Sequence, residues 1–425
     1  MNPGSEARPS LARGPAMLVA VVAAAAFVAL AWALVPWTWV PGGTLTPMPA
    51  RDLFTSEEIA RAETYSTLRR YLGWGSMGIS LVVAVVLGLT PLGARLVHPF
   101  TTRLRWWASV PLGVLVVLVV GRLATLPLSL RIRAENLQYG LTNQGLADWG
   151  LDYLKSLLVS WVFTSILVLV VVGAARRSPR YWFAWAGAAA LLLTLAGSFL
   201  YPVVVEPLFN RFTPMQPGTF KTSVFALAAR EGVAIDDVLV ADASRRTTTI
   251  NAYVSGYGGT RRVVVYDNLL KGLPPDQARV VIAHELAHAK HNDVVIGTLL
   301  GAAGSVLGVS LLALLLDSRV LRRRAGVTGP TDPAVVALVL ALTALGTLAA
   351  SPVQNAASRA IEARADRTAI AATGQDRVFV DMQHEIAVRG LSDPTPPRLS
   401  QFWFGSHPTV LERAGLPSSL QAARP

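Results

Sequence analysis

Cysteine is absent from this chain of 425 residues. That excludes disulfides, thiolate nucleophiles and thiolate metal ligands together, so any metal must rest on histidines and carboxylates. Charge is also scarce: 15% of residues are Asp, Glu, Lys or Arg, against about 25% in an average soluble domain. Lysine is nearly missing, at Lys155, Lys221, Lys271 and Lys290 only, so the formal charge of +12 rests on arginine. The arginines stand beside apolar runs and form no single patch. This argues for anchoring against a lipid bilayer and against nucleic acid as a partner. Histidine is rarer still, with six in the chain.

What the chain has in abundance is apolar sequence, with 52% hydrophobic residues and a mean hydropathy of +0.45. About 20 apolar residues cross a bilayer as a helix. Residues 16–36, 76–94, 156–175, 181–205, 294–316 and 334–353 reach that length without a charge. Residues 106–130 do so apart from Arg122, read as a side chain that snorkels or faces a wet interior. Arg8 and Arg13 precede the first run as in a signal peptide. Its apolar stretch is too long for one, however, and Trp32, Trp37 and Trp39 fill the cleavage zone, so an uncleaved span is expected. Trp106, Trp107, Tyr181, Trp182 and Trp185 at other span ends read as interfacial belts.

The remaining polar sequence falls in two blocks. The expected organisation is five spans in 1–205, a first polar part in 206–293, spans six and seven in 294–353, and a second polar part in 354–425. Within the first part, 237–242, 249–254 and 261–266 read as strands, with a hairpin turn at 255–260. Pro274-Pro275-Asp276 then opens a helix.

Residues 284–288 on that helix read His-Glu-Leu-Ala-His. Positions four apart share a helix face, so both imidazoles converge on one ion and Glu285 stands within reach of its water. Zinc keeps an open position in such sites and lowers the pKa of its water towards ~7. A carboxylate can take that water's proton and pass it to a leaving amine. A third ligand is required. Residues 354–370 read as a helix on which Asn355, Arg359, Glu362 and Asp366 form one stripe. Glu362 is the expected third ligand beside His284 and His288, for one Zn2+ per chain. Asp366, one turn on, is placed to accept the outer N–H of a liganding histidine, and Arg359 and Asn355 are expected behind the site. His291 reads as a helix-end residue in solvent. His407, within Ser406-His407-Pro408, is a candidate second catalytic residue, donating to a tetrahedral oxyanion beside the base Glu285.

These residues and their surroundings resemble the type I CAAX prenyl endopeptidases. The matching motifs are Glu206-Pro207-Leu208-Phe209-Asn210, Asn251-Ala252-Tyr253, His284-Glu285-Leu286-Ala287-His288, Ser358-Arg359 with Glu362 and Asp366, and Ser406-His407-Pro408 with Arg413. They occur in the family's order over roughly 200–415. The resemblance implies seven transmembrane helices joined to an α+β, zincin-like metalloprotease domain enclosing a water-filled chamber. It implies zinc ligation by His284, His288 and Glu362, with Glu285 as base. It also implies that Asn251-Ala252-Tyr253 is the edge strand on which a peptide or protein substrate lies extended, and that His407 and Arg413 line the cleft. Thr249 and Ala289 depart from the eukaryotic pattern, where His and Trp are common, which bears on prenyl-protein specificity more than on chemistry.

Two other readings compete: a multispan transporter or channel with a structural metal, and a protease whose metal motif lies inside a span. Transporters place functional polar groups at the midplane, whereas here Arg122 is the sole charge within a run. Lys290, His291, Asn292 and Asp293 set the motif helix at a membrane surface. Arginine-for-lysine usage suggests a multi-pass protein of a bacterial cell membrane. The arginine-rich short loops 95–105, 176–180 and 317–332 belong in the cytoplasm by the positive-inside rule, with the metal domain outside. The family's cytosolic cleavage in eukaryotes argues the opposite, and both placements stand at this point.

Overall fold

A computed structural model gives the architecture, and the structure describes residues 11–256 and 258–424. Arg8 and the turn residue Tyr257 lie outside the described residues. Among those described, seven helices are long and apolar enough to cross a membrane. In chain order the first are α1 (Arg13–Leu34), α2 (Ser56–Leu89), a short α3 (Pro91–Thr101), α4 (Trp106–Gln138), α5 (Leu146–Arg177) and α6 (Trp182–Val204). The first polar block holds α7 (Thr219–Glu231) and α8 (Pro275–Lys290), and after it come the sixth span α9 (Asp293–Leu316), a short α10 (Arg319–Ala325) and the seventh span α11 (Val336–Thr373). Three further helices close the chain: α12 (Asp376–Gly390), α13 (Arg398–Phe404) and α14 (Val410–Ala422).

The span count agrees with the hydropathy, but two boundaries differ. The run 76–94 is cut in two, because Thr90 precedes Pro91 and takes an extended conformation (φ −128°, ψ 166°) that ends α2 and caps α3. The helix also starts well before its apolar part, at a Thr55–Glu58 capping box. The spans pack through small residues, as membrane helices do. A Cβ on Gly88 of α2 would fall 2.3 Å from the Cβ of Ala341 on α11. Outward-facing Val21, Leu192 and Val203 are more than half exposed, which suits a lipid-facing surface. Arg122 lies over the Tyr153 ring at 5.0 Å, so a cation–π contact inside the bundle holds the charge that sequence reading left to snorkelling or a wet interior.

The bundle has two distinct ends. At one, the start of α1 meets the loops after α5 and α9: Ala12 N–H donates to the Arg180 carbonyl (3.0 Å), and Arg13 pairs with Asp317 (2.5 Å). At the other lies a four-stranded sheet of β1 (Phe212–Pro214), β2 (Asp237–Ala241), β3 (Ala252–Ser255) and β4 (Arg262–Tyr266), in the order β1-β2-β4-β3. The central pair is parallel, with Val238 opposite Val263, and both edges are antiparallel. Buried Val238, Val263 and Val265 pack in one core with Ile282 and Leu286 of α8 and Val224 of α7. The sheet therefore fixes the helix that carries the His-Glu-Leu-Ala-His run.

Candidate metal centre

Helix α8 begins on Pro275 at its first position, where the missing N–H costs nothing, and Asp276 follows in the first turn. It stops at His291, and Asn292 adopts a left-handed conformation (φ 54°, ψ 40°), which asparagine tolerates better than most residues. Helix α9 starts at once on Asp293. This two-residue joint turns the chain sharply where soluble domain becomes membrane span.

The seventh span continues directly into the polar stripe. Helix α11 has 38 residues, about 57 Å at 1.5 Å per residue, against about 30 Å of bilayer hydrocarbon. The stretch 354–370 is thus no separate helix but the protruding end of the span. No stripe residue is left as a solvated face. Asn355 Nδ2 donates to the Trp403 carbonyl (2.6 Å), and Arg359 Nη1 donates to the carbonyls of Gly405 (2.6 Å) and Gln401 (3.2 Å). Both therefore secure α13 and the loop before His407. Glu362 and Asp366 turn to α8.

His284, His288 and Glu362 come together, each offering one ligand atom within 4.8 Å of the others. The two Nε2 atoms are 3.2 Å apart with the rings at 88°. His284 Nε2 is 3.2 Å from Glu362 Oε2, and His288 Nε2 is 3.6 Å from Glu362 Oε1. Zinc bonds of about 2.0–2.1 Å imply ligand atoms about 3.3 Å apart around a tetrahedral ion. The three separations fit that spacing.

The protonation pattern fits as well. His284 Nδ1 faces Asp366 Oδ1 at 2.9 Å, and His288 Nδ1 faces Asp293 Oδ2 at 2.8 Å. With each proton on the nitrogen facing its aspartate, both Nε2 lone pairs are directed at one another and at a carboxylate. Glu362 Oε2 is buried without a hydrogen-bond partner. Three electron-rich atoms this close could hold a metal ion between them. Burial opposes charge on His284, but Asp366 and Glu362 outweigh it, so the site favours a positive charge at Nε2, whether from a second proton or from a metal ion that replaces it. The carboxyl of Glu285 is pushed above its ordinary value by burial, against the pull of His284 and His288.

Each aspartate is itself anchored by an arginine. Arg413 grips Asp366 with Nε (2.8 Å) and Nη2 (2.6 Å), and Arg364 pairs with Asp293. Two parallel relays result, Arg413–Asp366–His284 and Arg364–Asp293–His288. Arg413, expected at the cleft, is engaged with Asp366 by both of these contacts. Asp293 and Arg364 escaped sequence reading, because a continuous helix would carry position 293 round to another face. The signal available was Asn292-Asp293 directly after the helix. His291 ends α8 as expected, yet it is not free in solvent: its Nε2 lies 3.0 Å from Thr368 Oγ1.

His407 sits on the loop between α13 and α14, with Nε2 3.6 Å from Glu362 Oε2 and Nδ1 2.9 Å from Ser406 Oγ. Its side chain is 58% exposed, so it borders the centre from the open side. β3 is an edge strand, paired on one side only. Tyr266 N–H donates to the Asn251 carbonyl, so by antiparallel alternation the amides of Ala252 and Val254 face the open edge. Asn251 Oδ1 accepts from the Ala252 N–H (3.0 Å). The Tyr253 hydroxyl donates to Glu206 (2.7 Å), tying the strand to the segment after α6. β1 completes the opposite edge; three residues including Pro214 gave no readable strand pattern.

Comparison with known proteins follows the same division of the chain. Residues 216–416 match the sequence profile of peptidase family M48, and residues 43–211 match that of the CAAX prenyl protease N-terminal region, described as five membrane helices. The protein YhfN of Bacillus subtilis, described as an uncharacterized metalloprotease, is 29% identical over 372 residues, 84% of each chain. A CAAX prenyl protease 1 homolog of Dictyostelium discoideum is 29% identical over 61% of each chain. The crystal structure of S. mikatae Ste24p superimposes with a TM-score of 0.77 over 94% of this chain and 98% of that one, at 20% identity, which shows a shared fold.

Proposed function

Because the chain belongs to peptidase family M48 and is a multi-pass membrane metalloprotease, we propose that it is a zinc endopeptidase whose base is Glu285 and whose metal is held by His284, His288 and Glu362. The observation that carries this reading is the convergence of two aspartate-backed imidazoles and one unsatisfied carboxylate at 3.2–3.6 Å. Zinc bound there supplies a Lewis acid and a water of lowered pKa.

The chain's own groups do the rest. Glu285 takes a proton from the attacking water and returns it to the nitrogen of the broken peptide bond, so that water divides between the new carboxyl and amine termini. His407 N–H stabilises the oxyanion from the exposed side. The substrate lies extended along β3, where the outward Val254 N–H and Ala252 carbonyl bond main chain and so impose little sequence selectivity. Its class is a membrane-associated protein segment, prenylated or not.

The purified protein should cleave an unstructured peptide, lose that activity in a chelator and regain it with zinc. Persistence of cleavage after complete metal removal would overturn the reading. The strand element is tested separately by N-methylating successive amides of a cleaved peptide, which should weaken cleavage at alternate positions. Uniform tolerance would remove β3 from the account.

The same reading places the arginine-rich end in the cytoplasm. The cysteine-free background allows Thr102→Cys and Ser418→Cys to be labelled on intact cells with an impermeant maleimide. Labelling at 418 alone is expected, and labelling at 102 alone reverses the orientation.

A further inference from the structure

The end of the bundle away from the metal centre holds a cavity of about 1160 Å³. Three arginines, Arg13, Arg319 and Arg322, and one carboxylate, Asp317, line it together with the apolar side chains of Leu314 and Trp182. The apolar pair belongs to the spans α9 and α6, whereas Arg319 and Arg322 belong to α10, just beyond the end of α9. An apolar wall at the span ends therefore meets a basic wall just beyond them.

The charges there do not balance. Asp317 is engaged by Arg13 at 2.5 Å, and among the described residues no carboxylate pairs with Arg319 or Arg322. Arg322 is held between neutral carbonyls, with Nη1 donating to Thr328 (3.1 Å) and Nη2 to Asp317 (3.4 Å). Its Nε is buried without an acceptor. A confined guanidinium with an unsatisfied donor is costly unless an anion compensates it. The volume lies just above the usual range for ligand cavities, about 300–1,000 Å³, which leaves room for a headgroup with part of its chains.

We propose that this cavity binds the phosphate of an anionic phospholipid headgroup, with Arg319 and Arg322 facing the phosphate and the half-buried Leu314 at the span end beside the acyl chains. Inorganic phosphate shares the headgroup chemistry, but the apolar wall offers it nothing. The site is independent of the catalytic reading, since none of its residues belongs to the metal centre.

The test uses the delipidated full-length protein in detergent, titrated separately with phosphatidylglycerol, phosphatidylcholine and inorganic phosphate. Bound species are counted by native mass spectrometry and the unfolding midpoint is followed. One phosphatidylglycerol per chain is expected, raising the midpoint. Binding should weaken at least about tenfold in Arg319→Gln/Arg322→Gln, as loss of two interfacial charges implies. Phosphatidylcholine, whose choline cation offsets its phosphate, should bind wild type at least several-fold more weakly than phosphatidylglycerol, and equal binding of the two lipids would count against the site. Unchanged phosphatidylglycerol binding in the double variant would overturn the proposal, and so would inorganic phosphate binding as tightly as the lipid. Should the double variant unfold, Arg319→Gln alone decides, because Arg319 is exposed. A several-fold loss supports the site, and no loss overturns it.

Discussion

At the catalytic end, two imidazoles and a carboxylate face one another with their outer nitrogens already engaged by Asp366 and Asp293. At the opposite end, Arg319 and Arg322 border a cavity whose one carboxylate, Asp317, is paired with Arg13. The first arrangement has an excess of electron pairs and the second an excess of donors. Confined charge is tolerated only when paired, so the proposed occupants differ in sign: a cation at one end, an anion at the other. Held apart by the length of the bundle, the two also differ in rigidity. Each histidine at the metal end is backed by an aspartate and an arginine, whereas the basic end relies on one guanidinium clamped by carbonyls.

The sharpest way to divide chemistry from metal binding within the catalytic end is Glu285→Gln. Activity should fall by about 10²–10⁴-fold, the usual contribution of a general base, with zinc content unchanged. Turnover at the wild-type rate in a metal-replete variant would move the base elsewhere. The next effect is smaller and tests whether the two relays are equivalent. Asp366→Asn and Asp293→Asn should each cost about 10- to 100-fold in metal affinity or activity, as loss of a group orienting a ligand does. Competition with a chromogenic chelator measures both. A loss at 366 with none at 293 would leave His288 oriented by its own packing and break the symmetry. The mildest change expected is at Arg359→Gln, which frees the carbonyls of Gly405 and Gln401 and loosens the loop carrying His407. A several-fold loss of kcat with unaltered zinc content is predicted, and loss of zinc would instead make Arg359 part of the metal support.

The parts of this arrangement legible in sequence were those governed by a helical period. His284 and His288 lie four apart, and Glu362 and Asp366 lie four apart, so the spacing alone puts each pair on one helix face. The seven spans were equally plain, because apolar length is a local property. What escaped depended on changes of direction. The left-handed Asn292 swings Asp293 back to His288, and nothing in the periodicity of either helix announces that turn. The grip of Arg413 on Asp366 bridges 47 positions and becomes visible only when α14 docks. The first twenty residues of α2 are polar enough that hydropathy placed the start of that helix too late, although Thr55 and Glu58 had the spacing of a cap. Strand β1 failed for the opposite reason: three residues are too few for an alternation to be read.

The central claim is that His284, His288 and Glu362 together hold one zinc while Glu285 acts on water without holding it. Metal content per chain, measured by inductively coupled plasma mass spectrometry on purified wild type, Glu285→Gln and Glu362→Ala, tests it most directly. One zinc per chain in the first two proteins and loss of zinc in the third is the predicted result. A full zinc complement in Glu362→Ala, or its loss in Glu285→Gln, would contradict the assignment.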